Sequence, residues 1–464
     1  MADLVVASNR GPLSFRLDGD DRPVAAATGG GLAGTLHPLL TGSGAVWVSS
    51  SMNEADRLAS AAGLMTEPGL QLVNLEVDAD TYRMAYDVVS NATLWFCHHH
   101  LFDLPRRPRF GRQWAEAWDA YRRLNARFAE AVAVAADPGA RVLVHDYHLS
   151  LCGAMLREAR PDLRTVHFSH TPFADPAVLR TLPRASAGEL LAGLAGFGAC
   201  GFHSSRWEAS FRAAYADPEL AGAAGGADAP RTFVAPLGPD PAALAAEAAS
   251  PAVAQAAVHL AEVVGDRRLV LRVDRMELSK NLLRGFWAYE ELLETRPEWR
   301  GAVVLLALAY PSRQELAEYL AYRSEVEHTV ARINERFSEG NWCPVVLDVA
   351  DDRARSVAAL TRSDILLVNP VRDGMNLVAK EGPLLNAVDG TVVLSREAGA
   401  YDELQGAVLG INPFDVTETA EALDRALRMD ATERATQAER LRRLVTAHPA
   451  SDWLAELLAA ADTA

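Results

Sequence analysis

The stretch "NPVRDGMNLVAKEG", residues 369–382, follows the apolar run "DILLV" and gathers Arg372, Asp373, Asn376, Lys380 and Glu381 around one glycine. Gly374 permits a tight turn, and a helix starting near Met375 would aim backbone N–H groups outward. Those groups and the helix dipole together make an anion site. Glu381, about two turns into that helix, suits the hydroxyl pair of a ribose. Upstream, Arg275 and Lys280 follow a second apolar run, "RLVLRVD". Two cations five residues apart at the end of a strand suit a diphosphate, the guanidinium gripping two oxygens and the ammonium acting as a point charge. The plain alternative is a solvated basic pair with ordinary acidic neighbours. The Asp-Gly-Met-Asn turn tilts the balance toward a held anion.

These residues must be positioned by something, and the surrounding pattern says what. Short runs that are nearly continuous in apolar residues recur along the chain: "LVVAS", "AVWVSS", "RVLVHD", "RTVHFSH" and "ACGFHS", then "RLVLRVD", "AVVLLALA", "PVVLDVA", "DILLVN" and "TVVLS". Such runs fit strands buried on both faces of a parallel sheet. Amphipathic helical stretches such as "GRQWAEAWDAYRRLNARFAEAVAVAA" and "LLRGFWAYEELLETRP" lie between them. Alternation of this kind predicts an α/β protein of two Rossmann-like, doubly wound domains. The seam is expected in "VAPLGPDPAALAAEAASPA" (234–252), where strand signals stop. That gives domains at 1–236, joined by a C-terminal helix within 448–464, and at 237–447. The last helix, "ASDWLAELLAAA", is expected to start with Ser451 as its N-cap. In sheets of this kind ligands bind beyond the carboxyl ends of the strands.

Composition narrows the classes. At 464 residues the chain exceeds what one core supports, so two domains are the first expectation. A net charge of −16 argues against a nucleic-acid partner. The longest apolar run, "AVVLLALAY", cannot cross a bilayer, and the opening "MADLVVASNR" lacks the features of a secretory signal. Cys97, Cys152, Cys200 and Cys343 have no CxxC spacing, which reads as reduced thiols in a cytoplasmic protein.

The segments "SNRGP", "HDYH", "HFSHTPF", "DRMELSKN", "PSR" and "RDGMNLVAKE", in this order and spacing, resemble the trehalose-6-phosphate synthase family. The family consists of retaining nucleotide-sugar glycosyltransferases with a B-type fold. The resemblance runs from about residue 4 to the end of the chain. It implies two Rossmann-like domains facing across a cleft, with the C-terminal helix crossing back to the first. It further implies that the second domain holds UDP-glucose or GDP-glucose and the first glucose 6-phosphate. Residue by residue, it assigns Arg275 and Lys280 to the donor diphosphate and Asp373 to a donor-sugar hydroxyl. Gly374, Met375, Asn376 and Leu377 line the sugar and phosphates, Glu381 takes the ribose, and Gly30 in "TGGGLAG" lets the backbone approach the diphosphate. On the acceptor side Arg10, Tyr86 and Arg313 match phosphate-binding positions, Asp146 a sugar contact and Trp95 an aromatic wall, while His170 matches a donor-sugar contact. The chemistry implied is front-face: the departing phosphate takes the proton of the attacking hydroxyl, with Arg275, Lys280, Asp146, His170 and Asp373 around the reacting centre. No metal and no cofactor is expected, the nucleotide-sugar being a co-substrate. Partners are therefore small molecules, with neither nucleic acid nor membrane, and the sequence allows a homo-oligomer. Two positions depart from the family pattern: Ser50 stands where a second tryptophan is usual, and Asn281 replaces the glycine after the lysine. The alternative they keep open is a related glycosyl- or pseudo-glycosyltransferase acting on another sugar phosphate or a cyclitol phosphate. A sugar-phosphate sensor without turnover would not need the whole donor set.

Other motifs have plainer readings. "GGGLAG" satisfies the dinucleotide pattern, but no strand immediately precedes it. The histidines of "CHHH" (97–100), taken as a strand, would point to opposite faces and fail to converge on a metal. "HDYH" has no third ligand at a suitable spacing, so hydrogen bonding is favoured. Trp114 and Trp118, at i and i+4, are expected to pack.

Overall fold

The computed structural model describes residues 1–26, 31–313 and 316–464. Its chain separates into two compact units, Met1–Pro236 with Ser451–Ala464, and Leu237–Ala450. All ten apolar runs named above form strands.

In the first unit the strands are β1 (Ala2–Ala7), β2 (Ser14–Leu17), β3 (Pro23–Ala26), β4 (Val46–Ser50), β5 (Gln71–Leu75), β6 (Ala136–His145), β7 (Arg164–Ser169), β8 (Ala199–Phe202) and β9 (Arg231–Val234). Seven of them make one parallel sheet in the order β5-β4-β1-β6-β7-β8-β9, and β2 and β3 pair as a separate antiparallel ribbon. The helix Arg112–Ala135 buries Trp114, Trp118, Tyr121, Leu124, Phe128 and Val132, a stripe at helical spacing. Trp114 and Trp118 stack on one another, so their role is packing. The terminal helix, Ala450–Asp462, completes this unit from Ser451 onward. Trp453 meets the Phe168 ring edge-on, and Arg141 and Arg164 both pair with Asp462. Ser451 lies inside the first turn instead of capping it, because the helix already begins at Ala450.

The second unit holds β10 (Arg268–Arg275), β11 (Val303–Tyr310), β12 (Val345–Asp348), β13 (Ile365–Val368), β14 (Thr391–Ser395) and β15 (Leu409–Ile411). Their order, β12-β11-β10-β13-β14-β15, is that of a doubly wound dinucleotide-type sheet, all parallel. Residues of β11 alternate between two apolar layers: Val303, Leu305 and Ala307 on one face, Val304, Leu306 and Leu308 on the other. Helices cover both faces, which explains the unbroken apolar runs.

Two local expectations change, and one gains detail. The segment 234–252, where strand signals stop, holds the helix Pro241–Ala248 and the start of Pro251–Val264, each opened by a capping side chain (Asp240, Ser250) and a proline at its first position. The "CHHH" histidines form no strand: His98 ends the helix Trp95–His98, and His99 and His100 lie in the turn that follows. The helix after β13 starts at Val378, not near Met375, because Asn376 has φ 74°, a left-handed conformation that a right-handed helix cannot include. Among the described residues no helix is long and apolar enough to cross a membrane.

Candidate active site

In the second unit β10 and β13 are neighbours at the centre of the sheet, and the chain winds away from them in opposite directions. The crevice beyond their carboxyl ends is the topological switch point. Arg275 is the last residue of β10, and Lys280 ends the short 3₁₀ turn that follows. Asp373 comes five residues after β13. The two loops meet there: Lys280 Nζ lies 2.5 Å from Asp373 Oδ2, and Asn376 Nδ2 donates to the same oxygen at 3.1 Å. Burial works against the Lys280 ammonium, but Asp373 and Asp274 outweigh it and hold its pKa above the ordinary lysine value.

The loops are also sewn together by side-chain amides and by backbone. Asn281 Nδ2 donates to the Asn369 carbonyl at 3.0 Å and Asn369 Nδ2 returns a bond to the Asn281 carbonyl at 3.1 Å. Val371 N–H reaches Ser279 O, and the segment after β14 brackets the turn through Asp373 N–H to Glu397 O and Ala400 N–H to Met375 O. Asn281 has φ 57° and ψ 43°, the left-handed well. Asparagine is the side chain that tolerates this well best after glycine, so its departure from the family pattern keeps the backbone while adding an amide that also reaches Pro413 O at 2.8 Å.

One residue of this site escaped the sequence reading. Glu277 is fully buried, and its Oε1 accepts from Ser312 Oγ at 2.7 Å and Arg313 Nη1 at 2.6 Å, with Arg275 Nη1 at 3.2 Å. Burial pushes its carboxyl pKa up, but Arg275 and Arg313 prevail and hold it at about 2. Arg275 and Arg313 thus stand on one carboxylate. The only signal in the sequence was a lone acid between two cations, easily taken for an ordinary neighbour.

Not every charge in 372–381 faces a ligand. Lys380 is buried, its ammonium 2.5 Å from Glu403 Oε2 and donating to Leu237 O at 2.9 Å, so it is a structural tie. Glu381 sits in the first turn of its helix and pairs with Arg353 at 2.8 Å, while Arg353 also grips Glu247 with two bonds. Leu377 immediately precedes that helix, and Met375 is buried among the apolar residues of one layer.

The first unit has its own switch point, between β1 and β6. Arg10, exposed three residues after β1, donates from Nε to Met52 Sδ at 3.4 Å. Asp146 follows β6 directly with φ 71° and ψ 167°, a region all but reserved for glycine. Seven non-glycine residues among those described have positive φ; Asp146 adjoins the switch point of the first unit, and Asn281, Arg313 and Asn376 belong to or adjoin that of the second, where strain of this kind concentrates. Tyr86 lies in an eleven-residue π-helix, Met84–Leu94, whose next residue is Trp95. An aromatic wall links the two: Tyr86 stacks on His148, His148 on Tyr147, and the Tyr147 ring lies 6.0 Å from that of Trp95. Ser50 closes β4 with a buried hydroxyl that has no partner among the described residues.

His170 follows β7. One ring nitrogen, Nε2, lies 3.1 Å from His145 Nδ1, and the other, Nδ1, lies 3.1 Å from His203 Nε2. A ring contact from His170 to a sugar therefore requires one of these bonds to be exchanged. Burial, reinforced by the neighbouring imidazoles, drives the pKa of His145 and His170 well below the ordinary value, so these two rings are neutral. Gly30 lies outside the described residues. Among the described residues no group of three or more His, Cys, Asp or Glu side chains is arranged to hold a metal ion.

Two parallel doubly wound sheets, with cations and an acid gathered at the switch point of the second, define a glycosyltransferase of the B-type fold, and solved enzymes of that class superpose along nearly the whole chain. An α,α-trehalose-phosphate synthase (UDP-forming) from Burkholderia xenovorans, solved in complex with glucose 6-phosphate, aligns with TM-score 0.84 and 28% identity over 99% of this chain and 100% of its own. An E. coli protein of trehalose 6-phosphate, solved bound with UDP-2-fluoro glucose, aligns with TM-score 0.83 and 28% identity over 99% and 98%. The chain belongs to glycosyltransferase family 20, whose model matches residues 2–463. It is 34% identical to the trehalose-6-phosphate synthase of Mycobacterium sp. (strain JLS), covering 100% of this chain and 97% of that one.

Proposed function

We propose that the protein transfers glucose, with retention, from UDP-glucose or GDP-glucose to glucose 6-phosphate, forming α,α-trehalose 6-phosphate in the cytoplasm. The observation that carries this reading is the meeting of Arg275, Lys280 and Asp373 at the switch point of the second sheet. Such a cluster suits an anionic leaving group beside a sugar hydroxyl. The relatives support the substrates: one was solved with a fluorinated UDP-glucose and another with glucose 6-phosphate. Among the described residues no disulfide joins the four cysteines, which suits a reducing compartment.

In this mechanism Arg275 and Lys280 hold the diphosphate and take up the charge that develops as the glycosidic bond breaks, a task that needs no metal. Asp373 orients the donor sugar, the main chain of residues 374–377 approaches its hydroxyls and phosphates, and Glu381 holds the ribose once released from Arg353. Arg10, Tyr86 and Arg313 meet the acceptor phosphate, and Asp146 the acceptor sugar. The departing phosphate oxygen accepts the proton from the attacking hydroxyl.

A second reading, a transferase for another sugar or cyclitol phosphate, is favoured by the buried Ser50 hydroxyl at the end of β4, which has no partner among the described residues. The test mixes purified protein with glucose 6-phosphate and each nucleotide-sugar in turn. Nucleoside diphosphate and disaccharide phosphate released together, from one donor, support the first reading. Nucleotide binding without product would support the second.

A further inference from the structure

The two arginines assigned to different substrates converge on one acid. Arg275 ends β10 and Arg313 lies three residues past β11, and these strands are paired with Arg275 opposite Tyr310. Between them Glu277 presents a single oxygen, Oε1, to Arg313 at 2.6 Å, to Arg275 at 3.2 Å and to Ser312 at 2.7 Å. Its second oxygen is buried and has no hydrogen-bond partner among the described residues. A carboxylate so enclosed depends on its guanidiniums, and two guanidiniums this close depend on the carboxylate to offset their repulsion. Arg313 also has the backbone conformation φ 43°, so its side chain leaves a strained turn and relies on a fixed anchor.

We propose that Glu277 is a positioning residue serving two anion sites at once: it sets Arg275 for the donor diphosphate and Arg313 for the acceptor phosphate, so that both substrates are bound through one shared buried charge. The inference rests on the function proposed above. Glu277 touches neither substrate. It acts by fixing the direction in which each guanidinium faces.

The test is Glu277→Gln, which keeps shape and one acceptor oxygen but removes the charge. The KM values for nucleotide-sugar and for glucose 6-phosphate should both rise by about tenfold or more, with a smaller change in kcat. A purely structural defect would instead lower the active fraction and so kcat, with both KM values unchanged. A rise in only one KM, or in neither, would overturn the proposal. Titration calorimetry with UDP, GDP and glucose 6-phosphate separates the layers: wild-type protein that binds none of them defeats the functional reading itself. Wild-type protein that binds a nucleotide and the sugar phosphate, with Glu277→Gln binding both equally well, defeats only the role of Glu277. Should Glu277→Gln not fold, Arg275→Lys provides the second measurement. Loss of its grip on Glu277 should raise the KM for glucose 6-phosphate, and an unchanged value would refute the coupling.

Discussion

Lys280 Nζ and Asp373 Oδ2 lie 2.5 Å apart, joining the loops that leave the two central strands of the second sheet. The pair is mostly buried, so each partner left alone would be an uncompensated charge. Lys280→Ala should reduce kcat by about 10²–10³-fold, as expected for loss of a group that stabilises developing charge. It should also lower stability, whereas adding Asp373→Ala should restore part of the stability and none of the turnover. Steady-state rates and urea unfolding of Lys280→Ala, Asp373→Ala and the double variant check this. Undiminished turnover in Lys280→Ala would remove the assignment.

Asp146 occupies a backbone region that glycine enters freely and other residues do not. Ordinarily glycine is less stable than alanine. At this position the order should reverse, with Asp146→Gly more stable than Asp146→Ala by about 1–2 kcal/mol. Both should be inactive if the carboxylate meets the acceptor. Denaturant melts giving the ordinary order would show that the strain is not there.

The neutral histidines predict how stability responds to acid. The pKa of His167 is lowered to about 4 by burial, against an ordinary 6.5, and those of His145 and His170 fall well below 6.5 for the same reason. Between these values the unfolded chain binds more protons than the folded one. The stability contributed by neutral imidazoles is therefore complete above about pH 6.5 and is lost progressively as pH falls. Melting temperatures should drop from pH 7 to pH 5, before most carboxylates titrate. A flat profile over that interval would contradict the burial of the chain.

Arg313→Ala should raise the KM for glucose 6-phosphate by about tenfold or more and the KM for the nucleotide-sugar less, since Arg313 reaches the donor side indirectly, through Glu277 and Arg275. Initial-rate measurements with each substrate varied in turn will tell. An unchanged acceptor KM would place the sugar phosphate elsewhere.

What could be read in advance followed the physics of burial. Strands such as Val303–Tyr310 announce themselves because a sheet covered on both faces needs apolar side chains in both directions. Arg275, Lys280 and Asp373 were legible because charge after such a strand has few reasons to be there. Short or half-exposed strands were not: Gln71–Leu75 and Arg231–Val234 have few fully buried positions and no apolar run. The two helices after Asp240 and Ser250 carried their own signal in the Asp-Pro and Ser-Pro pairs, obscured by the surrounding alanines. The left-handed turn at Asn376 and the π-helix holding Tyr86 depend on tertiary contacts that no local pattern encodes. Glu277 was missed because what distinguishes it from a surface acid is complete burial between two cations, and only the fold supplies that.

The first unit is discontinuous: Ser451–Ala464 completes a body otherwise built from residues 1–236. On the ribosome, residues 237–450 emerge before those fourteen, and their unit is made of one unbroken segment. The body that begins first must therefore finish last. Until Trp453 arrives, Phe168 and His170 lack the indole that packs against them, and a nascent chain at that stage offers an unfinished apolar surface to chaperones.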